Sequence, residues 1–143
     1  MGKFIKCFFI ILFGVFQFNG FSQVYKTEIA DYITKVEHPL VFLQKVEKLG
    51  VKESGFKELD STHNWLKRLV TQVGYKPFTQ KFLNYKDTLR NIVFTKKGTN
   101  DSTIIICAHY DSWVGPGVND NGTGDFALYQ IAKLLKLYSF HYC

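Results

Sequence analysis

The chain has 143 residues, enough for one domain of ordinary size, and its 46% apolar and 21% charged content describes a globular protein rather than a disordered one. The formal charge of +6 falls to +4 once Lys3 and Lys6, which lie in a removable leader, are set aside. No Lys/Arg stripe with interleaved aromatics accompanies that charge. Nucleic acid is therefore excluded as a partner, and the basicity reads as solvated surface.

Residues 1–22 have the pattern of a secretory signal. Lys3 and Lys6 precede an uncharged apolar run, Cys7–Phe16, and Gly20 and Ser22 offer small residues three and one positions before a cut at Gln23. A membrane span needs about 20 apolar residues, more than this run supplies. An uncleaved anchor is the alternative reading. The expectation is an exported chain, periplasmic or extracellular, whose residues 23–143 carry no stable membrane anchor. Of the cysteines, Cys107 and Cys143 then remain, and two arrangements are open for them: a pair, or a buried inert thiol at Cys107.

Glu28–Val36 and Leu40–Leu49 space their apolar residues three and four apart, as amphipathic helices do. Pro39 separates the two helices and Gly50 closes the second. Val51–Leu59 reads as a surface loop. Asp60, Ser61 and Thr62 offer N-caps to a helix over Asn64–Val73, whose apolar stripe is Trp65, Leu66, Leu69, Val70 and Val73, with Gly74 as its stop. Pro77–Tyr85 and Asn91–Lys96 read as strands joined around Lys86–Asp87–Thr88, and Gly98–Asp101 as a further turn.

Ile104, Ile105, Ile106, Cys107 and Ala108 form an unbroken, mostly β-branched apolar run, which predicts a central strand covered on both faces. Without neighbours on both sides such a strand becomes a sticky edge. His109 and Asp111 follow it directly. A loop with Gly115, Pro116 and Gly117 leads to Asp120, and a helix from about Gly124 to Tyr138 comes next, with Gln130, Lys133 and Lys136 on its polar side. Polar groups at the carboxyl end of a buried strand, facing the start of a helix, occupy the usual place for a site in an α/β fold. A parallel sheet requires a further strand after this helix, and the sequence ends without one, as a truncated domain would.

Alternate residues of an extended chain project to one side, so His109 and Asp111 can meet, with the carboxylate holding the ring N–H of a metal-binding imidazole. A strand-end His bonded to a loop carboxylate, with no metal, satisfies the same spacing. Two other motifs fail by counting. Gly122–Ala127 fits G-x-G-x-x-A, but a long loop separates it from the strand and no acidic residue follows Asp125. A calcium loop centred on Gly122 puts Gly117 and Leu128 at ligand positions that neither can fill.

His109–Tyr110–Asp111–Ser112, followed by Pro116–Gly117–Val118–Asn119–Asp120–Asn121–Gly122–Thr123–Gly124, closely resembles the signature of the di-zinc aminopeptidases of the M28 metallopeptidase family. Trp65–Leu66, Gly74–Tyr75 and Asn91–Ile92–Val93 extend the likeness upstream, so that it covers about Leu43 to Leu135. The resemblance implies a three-layer α/β/α fold of zinc-exopeptidase type with a mixed, mostly parallel sheet, here incomplete. It also implies that His109 ligates one zinc, Asp120 bridges two, and Asp111 orients His109. A cis peptide after the bridging residue, at Asp120–Asn121, belongs to the same pattern. His38, His63 and His141 match no family ligand and read as surface or capping residues.

The family's activity is hydrolysis of peptides from the amino end by a metal-activated water, with a peptide or protein as substrate. Its Glu-Glu pair, later Asp and later His have no counterpart here. The expectation is therefore the N-terminal part of an exported zinc aminopeptidase, inactive by itself and weak in metal binding. The alternative is a secreted, non-catalytic binding module that keeps the fold without a metal centre.

Overall fold

The computed structural model describes residues 27–35, 38–99 and 101–137. The chain divides into two compact units, Met1–Thr34 and Lys35–Cys143. The leader, Val36, Tyr138, His141 and Cys143 lie outside the described residues. In the first unit the described element is α1 (Thr27–Thr34), with Glu28 in its first turn, where a carboxylate suits the helix dipole. The remaining elements belong to the second unit.

Helix α2 (Pro39–Leu49) begins with proline at N1, where its missing N–H costs nothing. His38 caps it, Nδ1 accepting from the Leu40 N–H at 3.2 Å. Gly50 ends it at φ 79°, and its N–H donates to the Glu47 carbonyl at 3.0 Å. Helix α3 (Lys57–Gln72) starts earlier than the caps at Asp60–Thr62 predict. Phe56 sits at the N-cap without a side-chain bond, Glu58 and Asp60 fill the first turn, and Thr62 donates back to the Glu58 carbonyl at 2.8 Å. The segment expected as surface loop is thus partly helix, because acidic residues in the first turn favour the helix N-terminus that they were expected to precede.

Strands β1 (Phe78–Asn84) and β2 (Asp87–Val93) form an antiparallel hairpin, in register from Phe78↔Val93 to Asn84↔Asp87. Two residues, Tyr85 and Lys86, make the turn, with Tyr85 at φ 55°. Strand β2 therefore begins four residues before the predicted Asn91. Helix α4 (Gly122–Leu137) starts two residues earlier than predicted.

The described residues make a small mixed α/β structure whose sheet has two antiparallel strands. The mostly parallel, three-layer sheet implied by the resemblance is not formed among them. The predicted central strand is the reason. Residues 102–111 join no sheet, and Ile104, Ile105 and Ile106 are 71%, 83% and 50% exposed. A strand is stabilised by ladder bonds and cross-strand packing, and β1 and β2 spend theirs on each other. Cys107, for which a pair with Cys143 or a buried thiol was open, is exposed and bonded to no cysteine among the described residues, and Cys143 lies outside them.

The core sits between the helices. Phe42, Val46 and Leu66 are buried, with Trp65, Ile92, Tyr110, Val118 and Phe126 packed around them. The Phe42 ring lies 4.8 Å from Trp65 and 5.4 Å from Phe126, in tilted and edge-on arrangements. Burial of an aromatic side chain of this kind is worth about 2–3 kcal/mol. A smaller cluster joins Val70, Tyr75 and Ala132, where the Tyr75 hydroxyl donates to the Ala132 carbonyl at 3.0 Å. Because α4 packs on α2, Gly122 must be small: a Cβ there would lie 3.0 Å from Val46 Cγ1. That packing seats the start of α4, and with it the end of the preceding loop, against Val46 of α2.

Candidate metal centre

His109 and Asp111 flank Tyr110 in extended chain, and Tyr110 turns inward onto the Phe42 cluster. The alternation sends the His109 and Asp111 side chains to the other side, where Nδ1 of His109 lies 3.2 Å from Asp111 Oδ1. The opposite ring nitrogen, Nε2, lies 3.1 Å from Asp120 Oδ1. All three side chains are largely open to solvent, Asp120 most of all at 87%.

Asp120 is held at the crest of a tied loop. The Gly122 N–H donates to the Gly117 carbonyl at 2.9 Å, and the Thr123 hydroxyl to the Asn119 carbonyl at 2.8 Å. The Asn121 side chain accepts from the Gly124 N–H at 3.2 Å. The Asp120–Asn121 peptide is cis, in keeping with the resemblance. Gly117 has φ 61° and no room for a side chain, since a Cβ would stand 2.7 Å from both the Asp120 carbonyl oxygen and Ser112 Cβ.

The donor set can be tested for a metal by counting protons. A neutral imidazole has one N–H, and both of its nitrogens here face carboxylates, which only accept. With the N–H given to Asp111, the Nε2 lone pair and Asp120 Oδ1 confront each other across 3.1 Å. Either a second ring proton or a shared cation resolves that contact. Two donors each about 2.0–2.2 Å from one zinc stand roughly 3–3.5 Å apart, so the pair fits a zinc ion. Among the described residues no group of three or more His, Cys, Asp or Glu could hold a metal. The fit is that of two ligands.

The electrostatics of the site favour a cation. Partial burial works against the His109 imidazolium, but the Asp111 charge and the hydrogen bonds that the ring donates to Asp111 and Asp120 outweigh it and hold its pKa above the ordinary value. Beneath lies Asp125, 8% exposed. Burial pushes its carboxyl up to about 7, with His109 and Lys52 pulling it down in part and Asp111 adding to the rise.

Residues 91–141 match the model of Peptidase family M28. No curated protein matches the chain. The M28 match begins on β2 and takes in His109, Asp111, Asp120 and Asp125, which makes this part of the chain peptidase-related. Peptidases of this family are generally zinc-dependent. The upstream likeness from Leu43 to Arg90 lies outside the matched residues.

Two residues near the site were not legible as such. His63, read as a surface or capping residue, is 3% exposed, with Nδ1 3.0 Å from the Tyr110 hydroxyl and Nε2 3.1 Å from the Thr79 hydroxyl. Thr62, His63, Leu66 and Val70 recur at helical spacing, and extending the apolar stripe one turn back would have placed His63 inside. Lys52, in the segment read as loop, is 2% exposed. Its ammonium donates to the Gly50 carbonyl at 3.3 Å and to the Pro116 carbonyl. Nothing in Gly50–Val51–Lys52–Glu53–Ser54 marks that lysine in advance. His38 is the capping residue expected.

Proposed function

We propose that this chain carries part of the centre of an exported zinc metallopeptidase of aminopeptidase type, with His109 and Asp120 as metal ligands and Asp111 as the residue that orients His109. The observation that carries the reading is the 3.1 Å approach of His109 Nε2 to a carboxylate oxygen of Asp120, with Nδ1 already engaged by Asp111. Zinc, when bound, supplies Lewis-acid polarisation of a peptide carbonyl and lowers the pKa of water. Asp111 fixes the tautomer that leaves Nε2 free to ligate, and it raises the basicity of the ring. Asp120, open to solvent, would hold the metal together with His109, and it is the residue that the resemblance implies as bridging.

The substrate class that follows is a peptide or protein with a free amino end. A catalytic zinc takes three protein ligands. The pair described here is two, so the reading makes the chain a weak zinc binder that does not hydrolyse peptides without further donors and a general base. Export rests on the leader pattern at residues 1–22.

Calorimetric titration of the full chain with zinc tests the assignment. The wild type binds weakly, and His109→Ala and Asp120→Asn each reduce affinity at least tenfold. Equal affinity in all three chains overturns the ligand assignment. A stoichiometric nanomolar site overturns the two-ligand reading.

A further inference from the structure

The segment Ser112–Gly117 separates the two carboxylates that flank His109, and both of its ends are fastened to one residue of another element. The Lys52 N–H donates to Ser112 Oγ at 3.0 Å, and the Ser112 N–H returns a bond to the Lys52 carbonyl at 3.1 Å. At the other end the Lys52 ammonium binds the Pro116 carbonyl. Ser112 Oγ also donates to the Gly115 carbonyl at 2.8 Å, closing the turn internally. Lys52 follows Gly50, the terminator of α2, whose own carbonyl takes a further ammonium bond.

Burying an ammonium costs several kcal/mol unless its protons find acceptors. Two carbonyls provide them here, and the Asp125 and Asp111 carboxylates add long-range attraction. A neutral residue would fill the same space without that desolvation cost. What the lysine adds is a cross-link, because no apolar side chain can bind both the end of α2 and the Gly115–Pro116–Gly117 turn.

We propose that Lys52 is the positioning residue of the His109–Asp120 pair. By holding Ser112 through its backbone and Pro116 through its ammonium, it fixes the span of chain that sets how far Asp120 stands from His109. The metal-binding consequence rests on the metallopeptidase reading above, whereas the fastening of the loop does not.

The position of the charge makes the two effects separable. Lys52 is a cation close to a cation site, so its electrostatic influence alone opposes metal binding. Removing it by Lys52→Met tightens zinc binding if charge is all that matters. Positioning requires the opposite.

The test compares wild type, Lys52→Met and Ser112→Ala as full chains, by zinc calorimetry and by amide hydrogen exchange. In Lys52→Met we expect zinc affinity to fall about tenfold. Exchange at Ser112 and Gly122 should quicken at least tenfold, with the core amides of α3 unchanged. Ser112→Ala keeps the charge and loses the hydroxyl bonds, so it should reproduce the loss of affinity, and it decides the matter should Lys52→Met fail to fold. Zinc affinity that is unchanged or raised in the variants overturns the proposal, whatever the loop does. A wild-type chain that is folded but binds no zinc removes the metallopeptidase reading instead. Exchange at Ser112 and Gly122 then decides by itself whether Lys52 fastens the loop, unchanged rates overturning it.

Discussion

The Tyr110 hydroxyl gives its proton to the Arg90 carbonyl, so at 3.0 Å it accepts from Nδ1–H of His63, and burial favours the neutral form of that ring, with Nε2 turned to the Thr79 hydroxyl. The residue between the candidate ligand and its orienting carboxylate is thereby anchored to α3 and to β2. Segment 102–111 has no ladder of its own, and this anchor is one of the contacts that replaces it.

Tyr110→Phe removes the shared hydroxyl and leaves a buried ring N–H and a carbonyl without it. The expected loss is about 1–3 kcal/mol in urea denaturation at pH 7.5. Burial, with help from Lys67, holds the His63 pKa below its unfolded value of 6.5. Below pH 6.5 the unfolded chain therefore binds more protons at this residue than the folded chain does, and stability falls with acidification. His63→Gln should flatten that limb of the pH profile, and an unchanged limb assigns it to another group.

Asp125 works in the opposite direction. Its carboxyl titrates near 7 in the folded chain against 3.8 unfolded. Between those values the folded state holds the extra proton, so its contribution is fully present below about pH 4 and is lost as pH rises towards 7. The loss is at most about 4 kcal/mol, at about 1.4 kcal/mol per pH unit. Asp125→Asn should match wild type near pH 4 and exceed it by a few kcal/mol at pH 8. Denaturation curves at the two pH values decide this. Parallel behaviour of the two proteins would mean that the carboxyl keeps an ordinary pKa.

Gln130 gives the clearest route to a more stable chain. Both atoms of its amide are buried and have no hydrogen-bond partner among the described residues. An unsatisfied buried polar group costs about 1–3 kcal/mol, and methionine follows the same shape without polar atoms. Gln130→Met should raise stability by about 1–2 kcal/mol, read as a higher urea midpoint with an unchanged slope. A lower midpoint would show that the amide has a partner in solution.

Local signals in the sequence carried much of this architecture. Pro39 and Gly50 bracket α2, Gly74 stops α3, and the alternation after Pro77 gives a hairpin, because caps and turns are decided by residues within reach of one another. His109, Asp111 and Asp120 could be paired for a related reason: a two-residue alternation and one glycine-rich loop bring them together. The run Ile104–Ala108 forms no strand because apolar content implies a covered strand only where partners exist to cover it. Lys52 was invisible for a different reason. A lysine is assigned to solvent by default, and what buries this one is a pair of carbonyls, Gly50 and Pro116, of which the second lies 64 positions away in the chain.

Gly117 and Gly115 allow the loop geometry to be tested by subtraction. Both have positive φ, 61° and 107°, so alanine at either pays a backbone penalty of about 1–2 kcal/mol. Around Gly115 nothing lies within 4 Å of the added Cβ, whereas at Gly117 it would stand 2.7 Å from the Asp120 carbonyl oxygen and from Ser112 Cβ. Backbone atoms cannot swing aside as the end of a side chain can, and such overpacking costs a further 1–3 kcal/mol or so. Gly117→Ala should therefore lose more stability than Gly115→Ala by about that amount. It should also weaken zinc binding more than Gly115→Ala does, because the displaced atoms belong to Asp120 itself and to the residue after Asp111. Denaturation and zinc titration of the two variants, side by side, read both differences. Equal losses in the pair would mean that the loop carrying Asp120 yields freely, and that the close approach of Gly117 does not set where this carboxylate stands.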